Sequence, residues 1–389
     1  MRIAFHAPLK PPDHPVPSGD RAMARALLAL LYEAGHEPVP APRFRSYDRT
    51  GDRARQARIE RLGVRLADRL LRRIAAGLLP PPEVWLTYHL YHKAPDHLGP
   101  RVADRLDLPY LVVEGSASRR QASGPWALGH AASLAALDRA DLVLAMTERD
   151  REGLLEVGIA AEAVRRFLPF LDAAPFRAAA AGRARHRVSL ADRLGLDPAV
   201  PWLVAVAMMR EDVKRRSYEL LAEALAGLSR HDWALLVAGD GPARPAIEPI
   251  LRAACGERVR FLGELPAEAL PGLYAAGDLC LWPAVGEAYG MALLEAQAAG
   301  LPVVAGAEGG VAAVVADGIT GFLLPPRDAP ALARAAARLL EQPELRLRLG
   351  RAAAEKVLRD HDRPAARARL EAALAAARER HAARKRRAA

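Results

Sequence analysis

Short apolar runs alternate with longer amphipathic segments along the 389-residue chain. Runs at residues 1–7, 83–88, 109–113 and 140–146 are bounded by polar, proline-rich or glycine-rich stretches and predict buried strands. The alanine- and leucine-rich segments between them predict helices. Strands that alternate with helices are typical of a parallel sheet covered on both faces, so we expect a doubly wound α/β domain in the first half.

The same alternation starts again near residue 202. Runs at residues 202–207, 233–238, 258–262 and 303–305 predict strands, with helices between them. After Gly321 the pattern becomes helical to about residue 380, and the last residues, RERHAARKRRAA, predict a frayed basic tail. The sequence therefore predicts two α/β domains of ordinary size.

Composition narrows the choice of partner and compartment. The chain has 56 Lys and Arg against 46 Asp and Glu, and this net charge of +10 favours phosphate groups, anionic lipid or nucleic acid as partners. Cys255 and Cys280 have no metal-ligand spacing, so we expect buried thiols of a cytosolic protein, and no metal or other cofactor. No apolar stretch is long enough to span a membrane, and residues 1–7 predict a strand, not a signal peptide.

The most informative stretch is a loop and helix at residues 284–299. An apolar run at residues 279–283 leads into a loop with Glu287, and a helix with Glu295 follows Gly290. Amides at the start of a helix attract anions, and glycine lets a ligand approach the backbone closely. The stretch therefore offers amides for a phosphate and two carboxylates for sugar hydroxyls. By spacing alone, chance or a solvated helix face explains such a pair more often than a site does.

Polar groups also follow strands in the first half of the chain. Gly19 and Asp20 predict a helix start after the first loop, with Asp20 as the cap, and Gly19 would also let a diphosphate touch the backbone. His89 and His92 follow the strand at residues 83–88, at the end where open α/β sheets bind ligands. Both histidines are candidate contacts of an acceptor or a donor sugar, although a lone histidine is more often structural.

The stretch from Glu287 to Glu295 resembles the Glu-x7-Glu signature of the retaining glycosyltransferases of family 4, within glycosyl transferases group 1. The similarity continues upstream in Phe261-Leu262-Gly263 and downstream in Gly309-Gly310 and DGITGFL from residue 317, so it covers most of the C-terminal half in order. The resemblance implies the GT-B fold, in which two Rossmann-like domains face each other across a cleft.

The resemblance also implies a division of the chain and roles for individual residues. The implied parts are an acceptor-side domain at residues 1–172, a nucleotide-sugar-binding domain at residues 173–362, and a crossing helix with the basic tail at residues 363–389. Glu295 would bind the ribose hydroxyls, and Glu287 would hold the transferring sugar and stabilise charge at its ring. The residues implied to bind the rest of the donor are Gly19, Arg210, Lys214, Gly239, Gly263, Glu264, Leu265, Tyr289, Gly290 and Met291.

The sequence departs from the family pattern at two places. Met209 stands where relatives usually carry an Arg, with Arg210 one place along. Glu114 stands where relatives often carry a His near the reacting carbon. The polar contact at that carbon therefore falls to Glu114 or to His89, and the sequence does not decide between them.

The partners implied by the family are a UDP- or GDP-sugar donor and a glycan or lipid-linked acceptor. The reaction would transfer the sugar to a hydroxyl with retention at the anomeric carbon, in bacterial polysaccharide or glycolipid assembly. The location would be cytoplasmic, peripheral on the inner face of the membrane.

Residues 43–73 are rich in Arg, with Ile59, Leu62, Leu66, Leu70 and Ile74 at helical spacing. They predict either a surface helix packed on the sheet or a helix on an anionic membrane.

Three other functions remain open at this stage. A relative with this fold could be an epimerase that acts on the nucleotide sugar itself. A non-catalytic protein could keep the fold and bind a ligand, because the family's usual His is absent at Glu114. The third function, nucleic-acid binding, is the least expected of the three, because the basic segments lack interleaved aromatic residues and a recognition motif.

Overall fold

The structure is a computed structural model that describes residues 1–16 and 18–388. The chain divides into two compact units: residues 1–168 with the segment from residue 366 onward, and residues 169–365. Each unit is built on one six-stranded sheet whose strands all pair in parallel, with helices in the connections. Both units thus have the α/β architecture that the sequence pattern predicts.

The first unit contains the strands β1 (Arg2–His6), β2 (Glu37–Pro40), β3 (Val84–Leu90), β4 (Tyr110–Gly115), β5 (Leu142–Ala145) and β6 (Val164–Arg166). Their order in the sheet is β2-β1-β3-β4-β5-β6. Strands β3 and β4 are buried almost throughout, as expected where helices cover both faces of a parallel sheet. The chain adds β2 on one side of β1 and then β3 on the other, so the winding direction reverses between β1 and β3.

The helices between these strands are α1 (Gly19–Glu33), α2 (Arg53–Ala75), α3 (Gly99–Leu106), α4 (Ala127–Arg139) and α5 (Glu148–Glu156). Ser18 caps α1, because its Oγ accepts a hydrogen bond from the amide of Arg21 at 3.2 Å. The prediction that Asp20 is the cap is therefore wrong. Asp20 lies inside the first turn, and its carboxylate contacts another element.

The second unit contains the strands β7 (Trp202–Val206), β8 (Ala234–Ala238), β9 (Val259–Gly263), β10 (Leu279–Trp282), β11 (Val303–Gly306) and β12 (Gly321–Leu324). Their order is β12-β11-β10-β7-β8-β9, so here the winding reverses between β7 and β10. The helices are α6 (Ala174–Ala181), α7 (Arg183–Leu194), α8 (Val213–Ala226), α9 (Arg244–Cys255), α10 (Leu270–Ala276), α11 (Met291–Ala298), α12 (Ala329–Glu341) and α13 (Pro343–Lys356). Cys255 and Cys280 are buried free thiols, as predicted.

The strands that the sequence pattern misses are β2, β6 and β12, and each lies at an edge of its sheet. The first helix predicted after Gly321 is confirmed as α12, and β12, which precedes it, is a strand that the sequence pattern does not predict. An edge strand pairs on one side only, so it can be short and can carry proline or charged side chains. The sequences EPVP in β2 and VRR in β6 show this composition and give no apolar signal.

The last helix, α14 (Arg363–Ala388), includes the basic end of the chain. Arg380 donates to the carbonyl of Asp141 at 2.7 Å, and Lys385 pairs with Asp107. Both acidic residues lie just before strands of the first unit, so α14 is fixed at the amino-terminal end of that sheet. The prediction of a frayed tail is therefore wrong for the part of the chain that the structure describes.

Candidate functional site

Two loops meet where the winding of the second sheet reverses. β7 pairs with β8 on one side and with β10 on the other. Open α/β sheets bind ligands beyond the carboxyl ends of the strands at such a switch point. The loop after β7 leads to Lys214, and the loop after β10 contains Glu287.

Lys214 and Glu287 form an ion pair at this switch point. Asp212 caps α8 by accepting the amide hydrogen of Lys214 at 2.9 Å, which fixes the first turn of the helix. The indole nitrogen of Trp282, the last residue of β10, lies 3.4 Å from Oε2 of Glu287. The two charged side chains are 14% and 17% exposed, so they are accessible to a ligand but partly shielded from water.

The loop that carries Glu287 is fixed by backbone contacts. Oγ of Ser217 in α8 accepts the amide hydrogen of Val285 at 3.1 Å. The amide of Gly310 donates to the carbonyl of Glu287 at 3.2 Å. Gly309 has a φ of +64°, and a Cβ there would lie 1.8 Å from the same carbonyl oxygen. The glycine pair after β11 therefore lets two loops meet and holds Glu287 between them.

Glu295 lies in α11, directly after this loop. Gly290 precedes the helix with a φ of +78°, and the first two amides of α11, those of Met291 and Ala292, have no acceptor inside the helix. The hydroxyl of Tyr274 donates to Oε2 of Glu295 at 3.1 Å. Burial raises the pKa of Glu295 to about 7, against the opposing effect of this hydrogen bond. The second oxygen of the carboxylate is left for a ligand.

The other predicted donor residues of the second unit are more dispersed. Arg210 pairs with Asp212 at 3.1 Å and is 49% exposed, whereas Met209 is fully buried in the core, so the usual Arg position is filled by an apolar side chain. Tyr289 is partly buried in the Glu287 loop. Gly263 ends the edge strand β9, and Glu264 and Leu265 follow it. Because β9 lies two strands away from β7, these residues lie at the periphery of the switch point.

Gly239 has a structural reason to be glycine. Its φ is +140°, and a Cβ there would lie 1.9 Å from the carbonyl oxygen of Ala207. Its amide donates to the carbonyl of Gly263 at 2.7 Å. Gly239 thus joins the ends of β7, β8 and β9, whereas Gly19 has space for a side chain and an ordinary φ.

A second polar cluster lies at the switch point of the first sheet, between β1 and β3. Nδ1 of His89 is 3.0 Å from Asp20, which follows the loop after β1, and 3.3 Å from Glu114, at the end of β4. His89 and Glu114 have φ values of +57° and +62°, a left-handed conformation that costs non-glycine residues about 1–3 kcal/mol each. The structure thus brings both candidates for the missing His contact together.

The charges of this cluster are interdependent. Burial raises the pKa of Glu114 to about 7. Burial also opposes protonation of His89, but the charges of Glu114 and Asp20 outweigh it and raise the pKa of His89. His92 is separate from the cluster: it packs against Trp126, and burial lowers its pKa to about 4.

Contributors in both units are not predicted from the sequence. Asp20 is predicted as a helix cap, although its position after the first loop is also that of a site residue. Trp282 and Ser217 give no chemical signal in the sequence, because the end of an apolar strand and the interior of a helix account for these two residues equally well. Tyr274 lies in α10, and only the fold places its hydroxyl against Glu295.

Within residues 1–16 and 18–388, no group of three or more His, Cys, Asp and Glu side chains is arranged to hold a metal ion. No described helix combines the length and the apolar character that crossing a membrane requires.

Solved glycosyltransferase structures share this fold over nearly the whole chain. Sucrose-phosphate synthase from Thermosynechococcus elongatus matches with a TM-score of 0.70 and 22% identity, covering 95% of this chain and 97% of that chain. Anabaena HepE in complex with UDP matches with a TM-score of 0.72 and 17% identity, covering 96% and 100%. The fold is that of the GT-B glycosyltransferases, as predicted.

Sequence comparison finds similarity to glycosyltransferases. Residues 200–342, in the second unit, match the sequence profile of the family "Glycosyl transferases group 1". Alpha-D-kanosaminyltransferase of Streptomyces kanamyceticus is 35% identical over 235 residues, which are 59% of this chain and 57% of the relative. D-inositol 3-phosphate glycosyltransferase of Salinispora tropica is 38% identical over 197 residues, 48% and 40% of the two chains. The chain thus spans about half the length of these curated relatives.

Proposed function

We propose that the protein is a retaining glycosyltransferase of family 4 that moves a sugar from a nucleoside diphosphate sugar to an acceptor hydroxyl. The observation that carries the proposal is the Lys214–Glu287 pair at the switch point of the second sheet, beside the amino terminus of α11. The matched family segment contains all three elements. A cation, a carboxylate and free amides at one switch point suit a ligand that carries both phosphate and sugar.

The diphosphate leaving group needs positive charge as the glycosidic bond breaks. Lys214 supplies a full charge, and the first-turn amides of α11 supply the positive end of a helix dipole. Arg210 is exposed nearby in sequence and would contribute only after leaving Asp212. In this proposal these groups take up the charge and no metal ion takes part.

The two glutamates would contact the sugars of the donor. A carboxylate accepts two hydrogen bonds and so suits the vicinal hydroxyls of ribose. Glu295 would fill this role, with Tyr274 holding one of its oxygens. Glu287 would hold a hydroxyl of the transferring sugar and stabilise positive charge at its ring, once Lys214 has moved to the diphosphate.

The proposal also covers the class of donor, the class of acceptor and the pathway. Complexes of the structurally similar Anabaena HepE contain UDP or UDP-glucose, so UDP-sugars are the first donors to test. The acceptor would be a glycan or a lipid-linked saccharide, in bacterial polysaccharide or glycolipid assembly on the cytoplasmic side of the membrane. Retention would appear as an unchanged anomeric configuration in the NMR spectrum of the product.

Peripheral membrane attachment would use the basic face of α2. Ile59, Leu66 and Leu70 of this helix pack against the core of the first unit, so its apolar face is not available for insertion. The opposite face exposes arginines at helical spacing, among them Arg58, Arg65 and Arg69. Attraction to anionic lipid would therefore be electrostatic, and co-sedimentation with phosphatidylglycerol vesicles should be lost in high salt and absent with phosphatidylcholine.

A thermal-shift panel tests the donor site. UDP, GDP and ADP, each with and without common sugars, are added to the wild type, to Glu295→Ala and to Glu344→Ala, an exposed glutamate of α13 that serves as control. A ligand that binds only the folded state raises the melting temperature. We expect one nucleotide class to stabilise the wild type and the control but not Glu295→Ala. No shift with any nucleotide would contradict the donor site and favour the non-catalytic alternative.

A transfer assay then tests the reaction. The stabilising nucleotide sugar is incubated with and without candidate acceptors, and both the free nucleotide and the sugar product are measured. Release of nucleotide that requires an acceptor would support transfer. Conversion of the nucleotide sugar without an acceptor would contradict it and support an epimerase, whereas salt-sensitive binding to arbitrary duplex DNA alone would favour a nucleic-acid-binding protein.

A further inference from the structure

The side chain of Asp20 lies in the first turn of α1 but does not cap that helix. Ser18 caps α1, so the first turn is satisfied without the side chain of Asp20. Its Oδ1 instead lies 3.0 Å from Nδ1 of His89. Asp20 follows the loop after β1 and His89 lies at the carboxyl end of β3, at the switch point of the first sheet. They therefore occupy the same topological position that Lys214 and Glu287 occupy in the second sheet.

One ring nitrogen of His89 faces two carboxylates. Nδ1 lies 3.0 Å from Asp20 and 3.3 Å from Glu114. Carboxylates accept hydrogen bonds, so Nδ1 must carry the proton. Nε2 makes no hydrogen bond with residues 1–16 or 18–388, and it is the ring nitrogen that remains for a ligand.

The backbone is strained at His89 and Glu114, and this observation is independent of their side-chain contacts. His89 and Glu114 end neighbouring strands, and both adopt a left-handed conformation that suits glycine. Such strain persists only where the surrounding structure holds it, and it clusters at ligand-binding and catalytic sites. The side chain of Glu114 is 8% exposed, and its Oε2 has no partner among the described residues.

We propose that Asp20 is a positioning residue that, together with Glu114, keeps the proton of His89 on Nδ1 and leaves Nε2 to contact an oxygen atom of a sugar. The identity of the ligand rests on the proposed function, whereas the tautomer does not. When the ring is neutral, Nε2 accepts from a sugar hydroxyl; when it is protonated, Nε2–H donates to a hydroxyl or phosphate oxygen. Asp150 of α5 also acts on the charge of His89, and the rings of Tyr88 and Tyr91 pack against its imidazole.

Histidine-labelled NMR of the full chain tests the positioning without any ligand. The 11 histidines are labelled in the ring, and the signal that disappears in His89→Gln is assigned to His89. Asp20→Asn keeps an oxygen acceptor and removes the charge, so we expect the Nδ1–H tautomer to persist and the pKa of His89 to fall by about one unit. Asp20→Ala should also increase the share of the Nε2–H tautomer. Asp52→Asn, an exposed cap of α2 at which Asn caps equally well, should change neither quantity.

Unchanged His89 signals in both Asp20 variants would overturn the positioning role. Steady-state kinetics then test the sugar contact in folded variants. We expect Asp20→Ala to lower kcat about tenfold with the donor KM within about twofold, and Asp20→Asn to recover part of kcat and to shift the pH profile. Unchanged kcat and pH profile, alongside an altered His89 signal, would overturn the sugar contact. If no donor supports transfer, the proposed function fails and the NMR result alone decides the role of Asp20.

Discussion

Lys214 and Glu287 pair across the point at which the strand order of the second sheet reverses. Each is the charged partner of the other, and Trp282 lies against both. A diphosphate that binds here must compete with the carboxylate for the amino group of Lys214. Donor binding would therefore release Glu287 at the moment when a sugar hydroxyl is available to it.

Replacing Lys214 should weaken nucleotide binding. Lys214→Ala removes a charged hydrogen-bond donor worth about 1.5–3 kcal/mol, so we expect a loss of affinity of roughly 10- to 100-fold for the stabilising nucleoside diphosphate. Isothermal titration calorimetry measures this change. Arg216→Ala, which removes a cation of the same helix that pairs with Glu219 and Glu223, is the matched control and should bind as the wild type does. Equal affinity of Lys214→Ala and the control would contradict the assignment.

Glu295 should make both stability and donor binding depend on pH. Its folded-state pKa is raised to about 7 by burial, above the ordinary value of 4.5. Folding therefore favours the protonated form, and this stabilisation is present below pH 4.5 and is lost as the pH rises through about 7. Between pH 4.5 and about pH 7, we expect the free energy of unfolding to decrease less for Glu295→Gln than for the wild type.

Nucleotide binding should show the opposite pH dependence, because the ribose hydroxyls need the ionised carboxylate as acceptor. The melting-temperature shift caused by the nucleotide should increase from pH 6 to pH 8 in the wild type, by about 2–4 °C for each kcal/mol gained. Glu295→Gln should show a smaller shift with no such increase. An identical pH response of the two proteins would exclude Glu295 as the titrating group.

Periodicity predicts most of the fold, because buried strands and amphipathic helices each leave a pattern. It fails at β2 and β6, where an edge position relaxes the demand for apolar residues, and at β12, a four-residue edge strand. It also fails at the end of α14, after about residue 380, where pairing with Asp107 and Asp141 orders a segment whose composition is typical of a frayed tail. Glu287 and Glu295 stand out in the sequence by spacing and resemblance. Tyr274 and Asp20 do not, because their role depends on contacts between segments far apart in the chain.

Gly309 should be intolerant of any side chain. A comparison with Gly318 separates the two physical reasons, backbone strain and a steric clash. Gly309 and Gly318 have nearly equal φ values of +64° and +69°, so both lose about 1–2 kcal/mol from left-handed strain when replaced by Ala. A Cβ at Gly309 would also lie 1.8 Å from the carbonyl oxygen of Glu287, whereas a Cβ at Gly318 would meet nothing within 4 Å. Gly309→Ala should therefore unfold at lower denaturant concentration than Gly318→Ala and lose nucleotide binding. Equal stability and binding would show that the contact between the two loops is not required.

Asp141 should be the acidic residue on which the docking of α14 most depends. Its side chain is 2% exposed, accepts the amide hydrogen of Tyr110 at 2.9 Å, and pairs with Arg384 at 2.9 Å. Asp141→Ala leaves that amide and the surrounding cations without a buried acceptor, and we expect it to lower the free energy of unfolding by about 3–5 kcal/mol. Asp107→Asn removes the charge of a half-exposed partner of Lys385 and His381, keeps a residue that tolerates the left-handed φ of +53°, and should lower the free energy of unfolding less. Urea denaturation measures both variants. Because the helix is fixed by buried contacts more than by surface charge, a larger loss at Asp107 than at Asp141 would contradict this account.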